Sequence, residues 1–233
     1  MFSYLRYFSI FSFILVLIAA YFVGAYFKAV ASEDLRELVE KDTEALAQGY
    51  INSVWKTEYN VLENLYMQDI KEWQNYSDFV LFANKTRNYF KDIPVVEFML
   101  YTPQGEYILS KYDKNAGSRQ FRDKGAYISL RKTGEPLSEI LWNQEFSQTN
   151  GEITNGTLVR VYVPIVPDER IKVIIDQDVK ALEGIIELYY DVSPQWRKLQ
   201  NFHLISMLGI VVIFLILIAV SYTHLTLPTT SRV

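Results

Sequence analysis

Two stretches of this 233-residue chain carry no charged side chain, and they bound what it can fold into. Residues 7–27 (YFSIFSFILVLIAAYFVGAYF) and 204–220 (LISMLGIVVIFLILIAV) are almost wholly apolar. At 1.5 Å rise per residue, a run of about 20 such residues matches the hydrocarbon core of a bilayer. The first run has two readings. Ala29-Val30-Ala31 ahead of Ser32 resembles the small-residue cleavage site of a signal peptide. The apolar core of a signal peptide is only about 7–15 residues, so the length of this run favours an uncleaved anchor. The second run lacks the polar face of a half-exposed helix. The predicted organisation is a cytoplasmic N-terminus (1–6), a transmembrane helix (7–29), a large domain (30–202), a second transmembrane helix (203–220) and a tail (221–233).

Orientation follows from charge and aromatic placement. Arg6 and the terminal amine precede the first span, which suits a cytoplasmic start, while Lys28 after it pulls the other way. The connecting segment is long enough to escape the positive-inside count, so the large domain is expected outside. Trp196, Tyr189 and Tyr190 sit where an interfacial aromatic belt would, just before the second span.

Composition removes several functions. There is no cysteine, hence no disulfide and no thiolate metal site. His203 and His224 are the only histidines, and neither has a local partner of metal-ligand type. No Ser/His/Asp set, Gly-rich phosphate loop or zinc motif is present. Asp113-Lys114-Asn115-Ala116-Gly117 lacks the spacing and closing Glu of a calcium loop. No cofactor is implied. A formal charge of −4 gives no general attraction to nucleic acid.

Between the spans, Leu35, Leu38, Val39, Leu46, Tyr50, Val54, Trp55, Leu62 and Leu65 recur at steps near three and four. That period predicts one long helix over 32–70, roughly 50–60 Å of rod, with Gly49 its weak point. A second helix is expected from Ser77, as N-cap, to about Lys91, with Pro94 barring continuation. Residues 95–102 and 106–112 read as a hairpin around Pro103-Gln104-Gly105. A helix over 124–132 closes at Gly134 ahead of Pro136. Strands are expected at 136–143, 157–166, 171–175 and 184–192, with a turn-rich loop at 144–157 holding two Asn-Gly pairs. The fold class is α+β: one antiparallel sheet with the long helix packed on it.

Several stretches carry a family resemblance. Arg6-Tyr7-Phe8-Ser9-Ile10 opens the first span, and Ala45-Leu46-Ala47-Gln48 with Asn52-Ser53-Val54-Trp55 lies on the long helix. Leu100-Tyr101-Thr102-Pro103-Gln104-Gly105-Glu106 forms the hairpin, and Glu187-Leu188-Tyr189-Tyr190-Asp191-Val192-Ser193-Pro194 the last strand and its exit. Over residues 1–220 the chain resembles bacterial membrane receptors with a PAS-like, or Cache, extracytoplasmic sensor domain, as in histidine kinases, diguanylate cyclases and chemoreceptors. The resemblance implies a periplasmic domain on the inner membrane, a small-molecule pocket over the sheet, a homodimer formed partly along the long helix, and a second span driving a cytoplasmic output domain. Residues 221–233 (SYTHLTLPTTSRV) resemble translated adapter DNA more than a receptor linker, so the chain is expected to be the input part of a longer receptor; a naturally short tail is the other reading.

The resemblance places Arg119, Arg122 and Tyr127 in the segment covering the pocket, and Trp142, Arg160 and Tyr162 on strands that would form its floor. An arginine there would favour a carboxylate ligand through paired hydrogen bonds. The same arginines also read as solvated surface groups, and Tyr101 and Asp191 as structural residues at strand ends. The competing function is a non-sensory membrane scaffold that binds an envelope protein, and it would need an exposed apolar patch in place of a pocket.

Overall fold

A computed structural model describes residues 2–113, 115–147, 153–167 and 182–226 of the chain. The first apolar run and the amphipathic stretch after it form one helix, α1 (Phe2–Tyr50). It ends earlier than the periodicity predicts. At Ile51–Trp55 the helix widens into a π-helical turn, where the Lys56 N–H donates to the Ile51 carbonyl. Hydroxyls compete for the backbone acceptors here. Ser53 Oγ donates to the Gly49 carbonyl (2.7 Å), and Thr57 Oγ1 to those of Ser53 (3.0 Å) and Val54 (2.8 Å). The uninterrupted helix beyond residue 32 is therefore roughly 28 Å long, about half the expected rod. α2 (Tyr59–Tyr66), a 3-10 turn (Ile70–Asn75) and α3 (Ser77–Phe90) follow. The N-cap of α3 is Tyr76, not Ser77, which is already helical.

The hairpin forms as expected from β1 (Glu97–Tyr101) and β2 (Tyr107–Ser110), with Gly105 at φ 84° in its turn. α4 (Lys124–Thr133) is capped at both ends: Asp123 Oδ1 accepts the Ala126 N–H, and Gly134 ends the helix at φ 64°. Gly134→Ala is expected to cost about 1 kcal/mol, because a Cβ disfavours that left-handed conformation. Urea unfolding of the variant checks this. β3 (Leu137–Ser147), β4 (Ile153–Ile165) and β5 (Gly184–Asp191) complete the described strands, and α5 (Ser193–Thr226) follows.

The loop expected at 144–157 is mostly strand. Asn155 and Gly156 pair with Glu145 and Gln144 in the β3–β4 ladder. Gly156 is needed for close approach, since a Cβ there would lie 2.1 Å from Ser193 Oγ. Residues 150–151 and the strand expected at 171–175 lie outside the described residues.

The five described strands are antiparallel, in the order β2-β1-β5-β4-β3. The fold is thus α+β, with a long N-terminal helix and a five-stranded antiparallel sheet. The ladder aligns Phe98, Leu188 and Val161 on one face, with Leu100, Ile186 and Val163 beside them. These are buried, and the helices cover them. Phe90 stacks on Phe98 at 4.5 Å, and Arg36 donates to the Ser138 carbonyl. The other face carries Glu97, Met99, Tyr101, Glu187, Tyr189, Arg160 and Tyr162.

The chain divides into two compact units, Leu35–Ser193 and a second made of Met1–Asp34 with Pro194–Val233. In the second unit α1 and α5 pack through Phe13 on Phe214 and Phe27 on His203. Both helices are long and apolar enough to cross a membrane. Their outward side chains, such as Phe22, Leu204 and Ile205, are exposed, and an apolar surroundings is what such a surface requires.

Candidate ligand site on the second face of the sheet

β5 is the central strand, and its alternation decides the site. Ile186 and Leu188 face the helices, while Glu187 and Tyr189 face the other side. Glu187 is 4% exposed, a carboxylate that follows the apolar Gly184-Ile185-Ile186 in the strand. Two hydroxyls satisfy it: Tyr101 donates to Oε2 (2.7 Å) and Tyr189 to Oε1 (2.6 Å). Burial, reinforced by the Glu187 charge, pushes both tyrosines well above their ordinary range, so they remain protonated donors.

Arg160 lies beside this pair. Its Nη1 is 3.8 Å from Glu187, its Nη2 bonds Glu139 and is 4.0 Å from Asp123, and its guanidinium sits 5.0 Å from the Tyr162 ring centre. Three carboxylates therefore surround one guanidinium. Next to it the sheet is covered by rings. Phe121 packs on Tyr101 and Tyr162, each at 5.0 Å, and Tyr127 ties α4 to the hairpin by donating to the Pro103 carbonyl (2.7 Å). Burial pushes the Tyr107 phenol in this layer up to about 12.

Beyond Tyr189 the same face opens into a cleft of about 340 Å³. Met99, Leu141 and Leu158 make an apolar floor, with Tyr112, Phe146 and Tyr189 as ring walls and Glu97 as the carboxylate among them. A bulge between Leu141 and Gln144, with Asn143 at φ 53°, shifts the β3 register where that strand borders the cleft. Glu97 Oε1 accepts the Lys111 N–H (3.1 Å), and burial raises the Glu97 pKa above its ordinary value.

Solved sensor domains of chemoreceptors, histidine kinases and a GGDEF protein are similar to this chain. The ligand-binding domain of a Campylobacter jejuni chemoreceptor, in complex with 4-methylisoleucine, matches at 13% identity and TM-score 0.42, over 81% of this chain and 62% of that one. The sensor domain of a Vibrio cholerae histidine kinase matches at 15% identity and TM-score 0.30, over 67% and 57%. A sensory box/GGDEF family protein of Vibrio parahaemolyticus matches at 13% and 0.29, over 67% and 62%. The chain thus spans less than two thirds of each of these three. No family model matches it, and no curated protein does.

The six residues singled out from sequence divide. Arg160, Tyr162 and Tyr127 come together around the ring layer. Arg119 lies over Tyr107 and bonds Asp113, Arg122 is exposed, and Trp142 is 41% exposed at the β3 bulge. None of the six lines the cleft. Arg160 is committed to internal carboxylates, which leaves it poorly placed to take a ligand carboxylate. Sequence reasoning missed Glu187, Tyr189 and Glu97; Tyr101, read as structural at a strand end, does end β1 and donates to Glu187. One signal was available: an acid inside the apolar run Gly184-Ile185-Ile186-Glu187-Leu188 needs buried partners.

Proposed function

We propose that residues 35–193 are the extracytoplasmic input domain of a bacterial inner-membrane signalling receptor. A small molecule bound on the second face of the sheet changes how β5 feeds α5. One observation carries this reading: the central strand presents Tyr189 to the cleft, and Val192 alone separates it from α5. No flexible loop intervenes. The junction is also pinned to the neighbouring strand, because Ser193 Oγ accepts the Thr157 N–H (2.8 Å) and Asp191 Oδ1 accepts the Ser193 N–H (2.9 Å). A displacement of β5 is thereby delivered to the first turn of a helix apolar enough to span the membrane. Only a ligand with different affinity for two states can carry a signal, and a coupling of about 1–3 kcal/mol changes the state ratio roughly 5–150-fold.

The test uses the full chain in lipid nanodiscs. Because the chain has no cysteine, Arg197→Cys supplies a unique spin-label site on α5. A broad small-molecule library is expected to contain compounds that raise the unfolding temperature, as any ligand of the native state must. Those compounds are expected to alter the label's spectrum. A library with no stabilising compound, or stabilisers that leave the label unmoved, would sink the reading.

A further inference from the structure

We infer that the occupant of the cleft is a small organic cation, held through an ammonium group with Glu97 as its counter-charge. The inference rests on the sensory reading and names its ligand class. The size comes first. About 340 Å³ is at the small end for ligand sites and equals the volume of about ten waters. The occupant has a comparable number of non-hydrogen atoms.

The lining then selects its chemistry. The floor of Met99, Leu141 and Leu158 calls for an apolar portion. The rings of Tyr112, Phe146 and Tyr189 present π faces, which attract a cation within about 6 Å of a ring centre. Among the described residues, the charged side chains lining the cleft belong to Glu97 and Glu145. Strand alternation sends Phe146 and Glu145 to opposite faces of the sheet. Glu97, paired in register with Tyr189, is therefore the carboxylate on the cleft side.

Among the described residues the nearby cations are already engaged, and the Lys111 charge also acts on Glu97. Lys111 Nζ donates to the carbonyls of Val95 (3.0 Å) and Val96 (3.3 Å), with the Tyr112 ring centre 5.5 Å away. Arg160 is held by Glu139 and lies within 4.0 Å of Asp123 and Glu187. An incoming carboxylate would meet Glu97 with no available guanidinium among the described residues. An incoming ammonium meets a carboxylate, π faces and, one strand pair away, a cluster with more acid than base. Burial disfavours the charged form of Glu97 more than the Lys111 charge and its hydrogen bonds favour it, and a ligand ammonium against it favours that form further.

The test measures binding to the full chain in nanodiscs by calorimetry at pH 7, with three probes of matched shape: benzylammonium, benzyl alcohol and benzoate. Benzylammonium is expected to bind about tenfold or more tightly than benzyl alcohol, and benzoate least. Glu97→Gln keeps the acceptor for the Lys111 N–H and is expected to bring benzylammonium down to the level of the alcohol. Tyr112→Ala, at an exposed site that the fold does not depend on, is expected to weaken benzylammonium about threefold or more. Benzyl alcohol or benzoate binding as tightly as the ammonium, or affinity unchanged in Glu97→Gln, overturns the inference and leaves the sensory reading intact. Failure of all three probes overturns it too, and the wider library then decides the sensory reading separately.

Discussion

Arg160→Met is expected to destabilise the 35–193 unit by about 2–4 kcal/mol in urea unfolding. The guanidinium is 20% exposed and stands among Glu139, Asp123 and Glu187. Glu139 and Asp123 are partly open to solvent, which screens them, so each alone would lose little. Glu187 is buried, and it keeps its two tyrosine donors but loses the nearest cation. Most of the cost therefore belongs to the Arg160–Glu187 pair, and a double-mutant cycle isolates it. In a Glu187→Gln background, Arg160→Met should cost less than half as much, because the buried charge is gone. A coupling energy under about 0.5 kcal/mol would show that the cluster is a loose surface network instead.

Phe90→Ala is expected to cost about 3–5 kcal/mol. The ring is 1% exposed and joins three elements: Phe98 of β1 at 4.5 Å, Tyr50 at the end of α1 at 5.1 Å, and Tyr89 of α3 at 5.1 Å. Truncation loses the transfer energy of the ring and leaves a cavity between helices and sheet that these stiff neighbours cannot close. Phe90→Leu retains most of the volume and should cost about 1 kcal/mol. Trp55 and Trp73, both buried in the helical layer, report the transition by fluorescence. Nearly equal effects for the two variants would mean that α3 does not pack on the sheet as described.

Both results depend on strand register, and register separates what was legible from what was not. The β1–β2 turn, the ends of α4 and the position of α3 could be read locally. Gly105 and Gly134 meet conformations that other residues avoid, and Asp123 caps the helix that begins beside it. Asn155-Gly156 misled for the same reason. The pair is a strong hairpin signal, yet here Gly156 is spent on the approach of Ser193 and Phe146, residues that come from other strands or lie beyond them. The end of α1 was partly visible in Gly49 and in Ser53 and Thr57, the two residues whose hydroxyls bond backbone carbonyls at a place the apolar period runs straight through.

The candidate site shows the same division. That Arg160 and Tyr162 share one face of a strand could be read from its alternation. Their partners could not, because Glu139, Asp123 and Glu187 are far apart in sequence and meet only when β3, β4, β5 and the start of α4 assemble. The expectation of a carboxylate ligand rested on arginines, and one of them, Arg160, is met by acids that only the fold brings to it.

By itself, then, the sequence determined that this chain carries two apolar helices of membrane-spanning length, that an α+β domain lies between them, and that the domain stands without disulfides. Those properties depend on run length, period and residue type, which are local. Tertiary structure alone decided which charges are available to a ligand, since a charge is available only after its neighbours across the sheet have been counted. It also decided that the open cleft lies beside Glu97 and Tyr189, because the β1–β5 register sets those two residues side by side.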